Sequence, residues 1–373
     1  MKQFFFLLQL FLVFIATAQP SNERLQSKLD SLRVAGNYPG LSISIIGMDN
    51  KQLNFVSGFS DIEKNLRLTT KHLLMQGSVG KTYVAAIAIM LIKEGKLNLD
   101  EKVAAYLGNY EWYSRLPNAS SITVRQIMNH TSGVMRYEFK PDFINDLNAM
   151  PEKTWKPEEL LQYVLDEKAS FPAGEGWEYS DTNYILLGMI IELVTGKKYY
   201  ELVNERILKP FKLSDTKPTD KILLPGIAQG YAGKDNEFKL KEKVINDDGS
   251  FVINPQFEWT GGGIYSTTED LAKWGKLLYE GKVVDTLLML KDAAPAKLGR
   301  ESKYGLGVII RQTQQGTSYG HSGFFPGYMT ELFYFPGKKL CIALQTNSSD
   351  FKNLKMGLQR VVMEFAKEFI ASQ

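Results

Sequence analysis

Residues 78–95 read Ser-Val-Gly-Lys-Thr-Tyr-Val-Ala-Ala-Ile-Ala-Ile-Met-Leu-Ile-Lys-Glu-Gly. The run is rich in Ala, Ile and Met and closes on Gly95, which predicts a helix with a glycine stop. It is apolar on nearly every side, so the helix is expected inside a core rather than on a surface. Ser78 and Lys81 stand three residues apart at its start and so share one side, a turn apart. The first turn of a helix has free backbone N–H groups and the positive end of the dipole, and both favour negative charge near Ser78. A serine hydroxyl is a poor nucleophile until a base takes its proton. A free lysine, with a pKa of about 10.4, cannot be that base at neutral pH, but burial disfavours its charged form. The apolar stretch from Val84 to Ile92 makes such burial the expectation for Lys81. By itself Ser-x-x-Lys favours the plainer reading, an N-cap serine followed by a surface lysine.

Working outward, Leu25, Leu29 and Leu32 recur at helical spacing within Glu23 to Val34. Leu41 to Met48 and Leu53 to Gly58 read as strands joined by the turn Asp49-Asn50-Lys51. From about residue 100 to 250 the pattern is helices and loops with few strand signals. Ile122 to Asn129, Pro157 to Glu167 and Asn183 to Thr195 are predicted helices, the last stopped by Gly196. Ser266 with Glu269 fits a capping box opening a helix to about Glu280. Strands are then predicted at Gly305–Gln312, Thr317–His321, Met329–Phe335 and Leu340–Gln345. A closing helix is predicted from about Phe351 to Phe369. This order predicts one composite unit. A sheet drawn from residues of about 19–100 and 255–373 packs on a helical subdomain of about 100–255.

The start of the chain reads as a signal peptide. Lys2 is followed by an apolar run from Phe4 to Ile15, and Ala16-Thr17-Ala18 has the small-x-small cleavage pattern. Cleavage after Ala18 would deliver a secreted or periplasmic domain of residues 19–373. The apolar run is shorter than the ~20 residues of a spanning helix, so no stable membrane insertion is expected after cleavage. Removing residues 1–18 takes away Lys2 alone among the charges and leaves 43 basic against 41 acidic residues. That balance gives no reason to expect a nucleic-acid partner. Cys341 is the single cysteine and lies in the apolar run Leu340 to Leu344, as a buried strand residue would. His72, His130 and His321 show no metal-ligand spacing, so no metal or other cofactor is implied.

Two further groups carry chemistry. Tyr179-Ser180-Asp181 lies where a loop enters a helix, and a tyrosine there can both donate and accept a proton. The same residues also fit a core aromatic followed by a helix cap. His321-Ser322-Gly323 lies on a predicted strand, with Phe324 next. Gly323 permits close approach to the backbone, and the Phe324 and Ser78 N–H groups are candidates for the two arms of an oxyanion hole. His130, before Thr131-Ser132-Gly133, reads as structural.

Taken together and in this order, Ser78-x-x-Lys81, Tyr179-Ser180-Asp181 and His321-Ser322-Gly323 resemble the serine β-lactamase and penicillin-binding-protein superfamily. The resemblance is closest to the branch of class C β-lactamases, DD-carboxypeptidases, D-aminopeptidases and esterase relatives. It spans roughly residues 25 to 370, and it includes Asn129 to Gly133, Phe171 to Gly174 and Gly261 to Thr267. It implies an α+β fold, an antiparallel sheet flanked by helices plus a mainly helical subdomain. It implies Ser78 as the acylated nucleophile, Lys81 as the group that accepts or steers its proton, and Tyr179 as general acid or base. Asp181, His321, Ser322 and Gly323 would bind substrate or set the local charge, with His321 touching a substrate carboxylate or tuning Tyr179. Two departures matter. Asp181 stands where Asn is common and adds a negative charge beside Lys81. His321 stands where many relatives carry lysine, and it is charged only at lower pH.

The implied activity is acyl transfer to water on peptide, amide or ester substrates, among them peptidoglycan-derived D-amino-acid peptides. A β-lactamase proper and a catalytically silent relative that binds cell-wall peptide or a partner protein remain as alternatives. An α/β-hydrolase is disfavoured, because neither Ser78 nor Ser322 sits in Gly-x-Ser-x-Gly.

Overall fold

A computed structural model describes residues 22–299 and 301–371. The expected signal peptide lies outside these residues. Near the start of the described chain, β1 (Gly40–Ile46), β2 (Gln52–Asp61) and β3 (Leu66–Arg67) form a meander. Next come β4 (Leu74–Met75), β5 (Thr216–Pro218) and β6 (Ile264–Ser266), which form a small sheet in the order β4-β6-β5. The last part supplies β7 (Ala294–Pro295), β8 (Lys303–Tyr304), β9 (Ile309–Thr313), β10 (Gly316–Phe325), β11 (Tyr328–Phe335) and β12 (Leu340–Thr346). These join the meander in a nine-stranded sheet, β3-β2-β1-β12-β11-β10-β9-β8-β7, whose pairings are all antiparallel.

The closing contact is β1 against β12, where Leu41 stands opposite Thr346. Every residue of both strands is buried, so side chains of both pleat faces need cover. One face is covered by the helices Asn22–Gly36 and Leu358–Ile370. Leu25, Leu29, Val361 and Phe365 pack there with Ile43 and Ile342. The other face meets the helix Thr268–Tyr279 and, beyond it, the helical layer around Lys81–Lys93 and Asp181–Thr195. The fold is thus α+β, with an antiparallel sheet flanked by helices, as the resemblance implied.

Several boundaries differ from the sequence reading. The turn holding Ser78 is 3-10 (Gly77–Gly80), and the α-helix proper begins at Lys81, whose N–H bonds to the Ser78 carbonyl. The helix after β6 is capped by Thr267, which accepts from the Asp270 N–H, and not by Ser266. Ser266 is the last residue of β6 and instead accepts from Gln76 at 2.8 Å. Residues 305–308 form a turn closed by Gly305 N to Val308 O, so β9 begins at Ile309. The last helix begins at Leu358, seven residues later than its apolar content suggests, because Phe351 belongs to the loop that rims the cleft described below.

Candidate active site

The turn Gly77–Gly80 is pressed against β10, and two glycines make this approach. At Gly77, with φ +50°, an added Cβ would lie 2.6 Å from the Phe324 nitrogen, and at Gly323 it would collide with the Gln76 carbonyl oxygen. Ser78 is thereby held beside the strand, and the backbone of Phe324 lies next to its turn. β9 stops pairing with β10 at Gly320, opposite Ile309. The β10 residues from His321 onward therefore have no strand neighbour on that side.

Lys81 is fully buried, and its ammonium faces three acceptors. It donates to Ser78 Oγ at 3.1 Å, to an Asp181 carboxylate oxygen and to the Gly261 carbonyl. Three N–H donors thus meet three acceptors. Asp181 arrives on the first turn of the helix Asp181–Thr195, preceded by Ser180 with no side-chain cap bond. Neither residue therefore acts as the side-chain helix cap considered above. Burial alone would raise the Asp181 carboxyl, but Lys81, Glu138 and Arg136 outweigh it and hold it well below the ordinary carboxylate range.

Tyr179 is half-buried, with its hydroxyl wholly enclosed and without a formed hydrogen bond. Burial and the Asp181 charge hold the phenol well above its ordinary value, and Ser78 acts in the opposite sense. Lys81 Nζ lies 5.0 Å and the Arg136 guanidinium 5.3 Å from the centre of the Tyr179 ring. His130 packs behind that ring at 4.3 Å, accepting from the Ser180 N–H through Nδ1, as a structural residue does.

His321 is buried, with Nε2 at 2.7 Å from the Tyr304 hydroxyl and Nδ1 at 2.6 Å from the Ser322 carbonyl. Burial and the Lys81 charge push its pKa down to about 3, so the ring is neutral at physiological pH. It makes no hydrogen bond to Tyr179, and Tyr304 packs edge-on to both rings. The Ser322 hydroxyl bonds to Arg311 at 2.6 Å and Glu331 at 2.8 Å, on the pleat face opposite His321 and Gly323. Cys341 is buried in β12, and burial pushes its thiol up, which leaves it unreactive.

Ser78, Tyr179, His321, Ser322, Gly323 and Phe324 line one cleft of about 710 Å³, while Lys81 and Asp181 lie buried behind it. Sequence reasoning missed Arg136, Glu138 and the Gly261 carbonyl. Arg136 Nε bonds to Glu138 at 2.5 Å and Nη2 to Asp181 at 3.3 Å. Burial and the neighbouring Asp181 charge push the Glu138 carboxyl well above its usual range. The available signal was a pair of opposite charges, Arg136 and Glu138, flanking Tyr137 in the otherwise apolar stretch Val134 to Phe139.

An apolar helix opened by a serine turn, docked on an antiparallel sheet edge with lysine and tyrosine at the serine, defines the penicillin-recognising class of folds. The chain belongs to the Beta-lactamase family, whose model matches residues 24–361. It is 25% identical over 344 residues to penicillin-binding protein 4* of Bacillus subtilis, covering 89% of this chain and 73% of that protein. It spans 45% of the length of staphylococcal relatives that it also matches. A D-stereospecific amidohydrolase from Streptomyces superposes with a TM-score of 0.78 at 25% identity, over 92% of this chain and 98% of that one. A D-amino acid amidase from Ochrobactrum anthropi SV3, complexed with L-phenylalanine amide, gives 0.80 at 24% identity, over 94% and 99%. Among the described residues no helix is long and apolar enough to cross a membrane.

Proposed function

We propose that this protein is an extracytoplasmic serine hydrolase that cleaves amide bonds, peptides built from D-amino acids among them, through an acyl-enzyme on Ser78. The observation that carries the reading is the meeting of Ser78 Oγ, the Lys81 ammonium and the enclosed Tyr179 hydroxyl at one wall of the cleft. Family membership and likeness to an amidohydrolase support it.

Ser78 Oγ attacks the substrate carbonyl carbon. With the Tyr179 phenol held in its neutral form, a relay fits better than a standing base. Tyr179 Oη takes the serine proton as its own proton passes to the leaving nitrogen. Lys81 steers this step by stabilising the charge that grows on Ser78 Oγ, and the Ser78 and Phe324 N–H groups receive the carbonyl oxygen. Water then reverses the relay and frees the acid.

A fluorophosphonate probe tests the assignment. The wild type should be labelled, and Ser78→Ala should not be. Tyr179→Phe should react at least about 100-fold more slowly, within the range expected for losing a proton-transfer group. Persistent labelling of Ser78→Ala would remove the nucleophile from the mechanism. A silent relative would take no label even as wild type. Slow nitrocefin turnover beside detectable ester hydrolysis is expected, because the neutral His321 places no cation on the stretch of β10 that packs on the Ser78 turn.

A further inference from the structure

Glu138 is buried in the loop between the helices Val124–Met128 and Pro141–Ala149. Its Oε1 accepts from Arg136 Nε at 2.5 Å, and its Oε2 is enclosed and meets no donor among the described residues. Its carboxyl is also in hydrogen-bond contact with that of Asp181. Two ionised carboxylates are acceptors only, so this contact is a bond only when one of them carries a proton. Two like charges this close in a buried site do not both persist, and the proton goes to the acid with fewer cations at hand. Asp181 accepts from Lys81 and Arg136, whereas Glu138 has Arg136 alone. The proton therefore belongs on Glu138.

We propose that Glu138 is a positioning residue for the acyl transfer: as a neutral acid it donates to Asp181 and so keeps Asp181 seated on Lys81, behind Ser78. This rests on the hydrolase reading for the reaction served, but the proton on Glu138 is separable from it. With Glu138 neutral, the ion pairs behind the nucleophile hold two cations, Lys81 and Arg136, against one anion, Asp181. The surplus positive charge favours the negative charge that grows on Ser78 Oγ. An ionised Glu138 would cancel that surplus and repel Asp181 from its place. The other titratable groups nearby leave this count unchanged at neutral pH. Tyr137 and Tyr179 face Glu138 and are phenols that burial holds well above their ordinary value. Glu258 faces Asp181, Lys81 and Arg136, and burial pushes it up to about 8.

The test compares wild type with Glu138→Gln, which keeps an acceptor for Arg136 and a donor for Asp181 but cannot ionise. At about pH 8 an ordinary carboxyl is ionised, so infrared spectra of the wild type should carry a protonated-carboxyl band that Glu138→Gln lacks. Glu258 is common to both proteins and cancels in the difference. Urea unfolding against pH reads the same proton. With its folded pKa raised, Glu138 contributes stability that is complete below about pH 4.3 and is lost as pH rises, because the unfolded chain releases a proton that the folded one keeps. The folding constant of wild type relative to Glu138→Gln should fall about tenfold per pH unit between about pH 5 and 7. Fluorophosphonate labelling at neutral pH reads the role. The rate constant of Glu138→Gln should stay within about threefold of wild type, and that of Glu138→Ala should fall at least about tenfold, the scale of one lost hydrogen bond to a charged group. A rate constant does not depend on how much of the protein is folded, so a poor yield of Glu138→Ala does not mimic the effect. An absent band, a flat stability ratio, a Gln variant as slow as the Ala variant, or an Ala variant as fast as wild type overturns the proposal. A wild type that resists the probe while the band and the pH slope are present would sink the hydrolase reading and leave the Glu138–Asp181 bond standing.

Discussion

Lys81 has no exposed surface, and each of its three N–H donors has one acceptor. Its removal therefore acts chiefly through what it leaves behind, a buried carboxylate with Arg136 as its remaining cation. Lys81→Met should destabilise the fold by about 3–5 kcal/mol, the cost of breaking a buried ion pair from one side. Lys81→Met with Asp181→Asn should recover most of that loss, because the stranded charge goes with its partner. Urea unfolding of the four proteins in the cycle measures the coupling, and purely additive losses would contradict it. His321 gives a pH signature of opposite origin. Its folded pKa is depressed from about 6.5 to about 3, so the unfolded chain binds a proton that the folded one refuses. Its contribution is complete above pH 6.5 and is lost as pH falls toward 3. The loss amounts to roughly 2 kcal/mol between pH 6.5 and 5. The acid-side fall of the melting temperature should be shallower in His321→Gln than in wild type.

At the scale of elements, the docking of the Gly77–Gly80 turn on β10 sets the distance between nucleophile and strand. Gly323→Ala places a methyl group against the Gln76 carbonyl and must push the two apart. Displacements of about an ångström at a reacting group cost on the order of 100-fold in rate. Fluorophosphonate labelling of Gly323→Ala should slow by that factor, and a rate equal to wild type would show that this contact does not position Ser78. Local patterns made these elements legible. Helical spacing marked Asn22–Gly36, alternating and continuous apolar runs marked β1, β11 and β12, and Gly196 marked a helix end that it forms with φ +65°. Boundaries set by tertiary contact were not legible. Thr267 and Ser266 are both good caps, and only the pairing of Ser266 in β6 decides that the cap is Thr267. The loop from 347 to 357 carries Phe351 and Leu354 for the cleft, so its apolar content imitates a helix face.

Across the whole molecule the site is assembled from remote parts of the chain. Asp181 lies 100 residues and Gly261 180 residues from the lysine that binds both. The motif residues were legible because their types carry chemistry. Arg136 and Glu138 were not, because their meaning lies in which carboxylate they face after folding. The same remoteness governs stability. The sheet closes only when β1, from one end, pairs with β12, from the other, and the cover of that seam is shared by the first and last described helices. The helix Leu358–Ile370 buries Leu358, Val361, Val362, Phe365 and Phe369. At about 1.5–3 kcal/mol for each buried side chain, their sum rivals the ~5–15 kcal/mol stability of a typical domain. A chain ending at Gly357 should therefore fail to fold, with loss of its cooperative melting transition and of Ser78 labelling together, although the deletion removes none of the catalytic groups. A truncated protein that melted near the wild-type temperature and still took the label would mean that the β1–β12 pairing sustains the sheet without its helical cover.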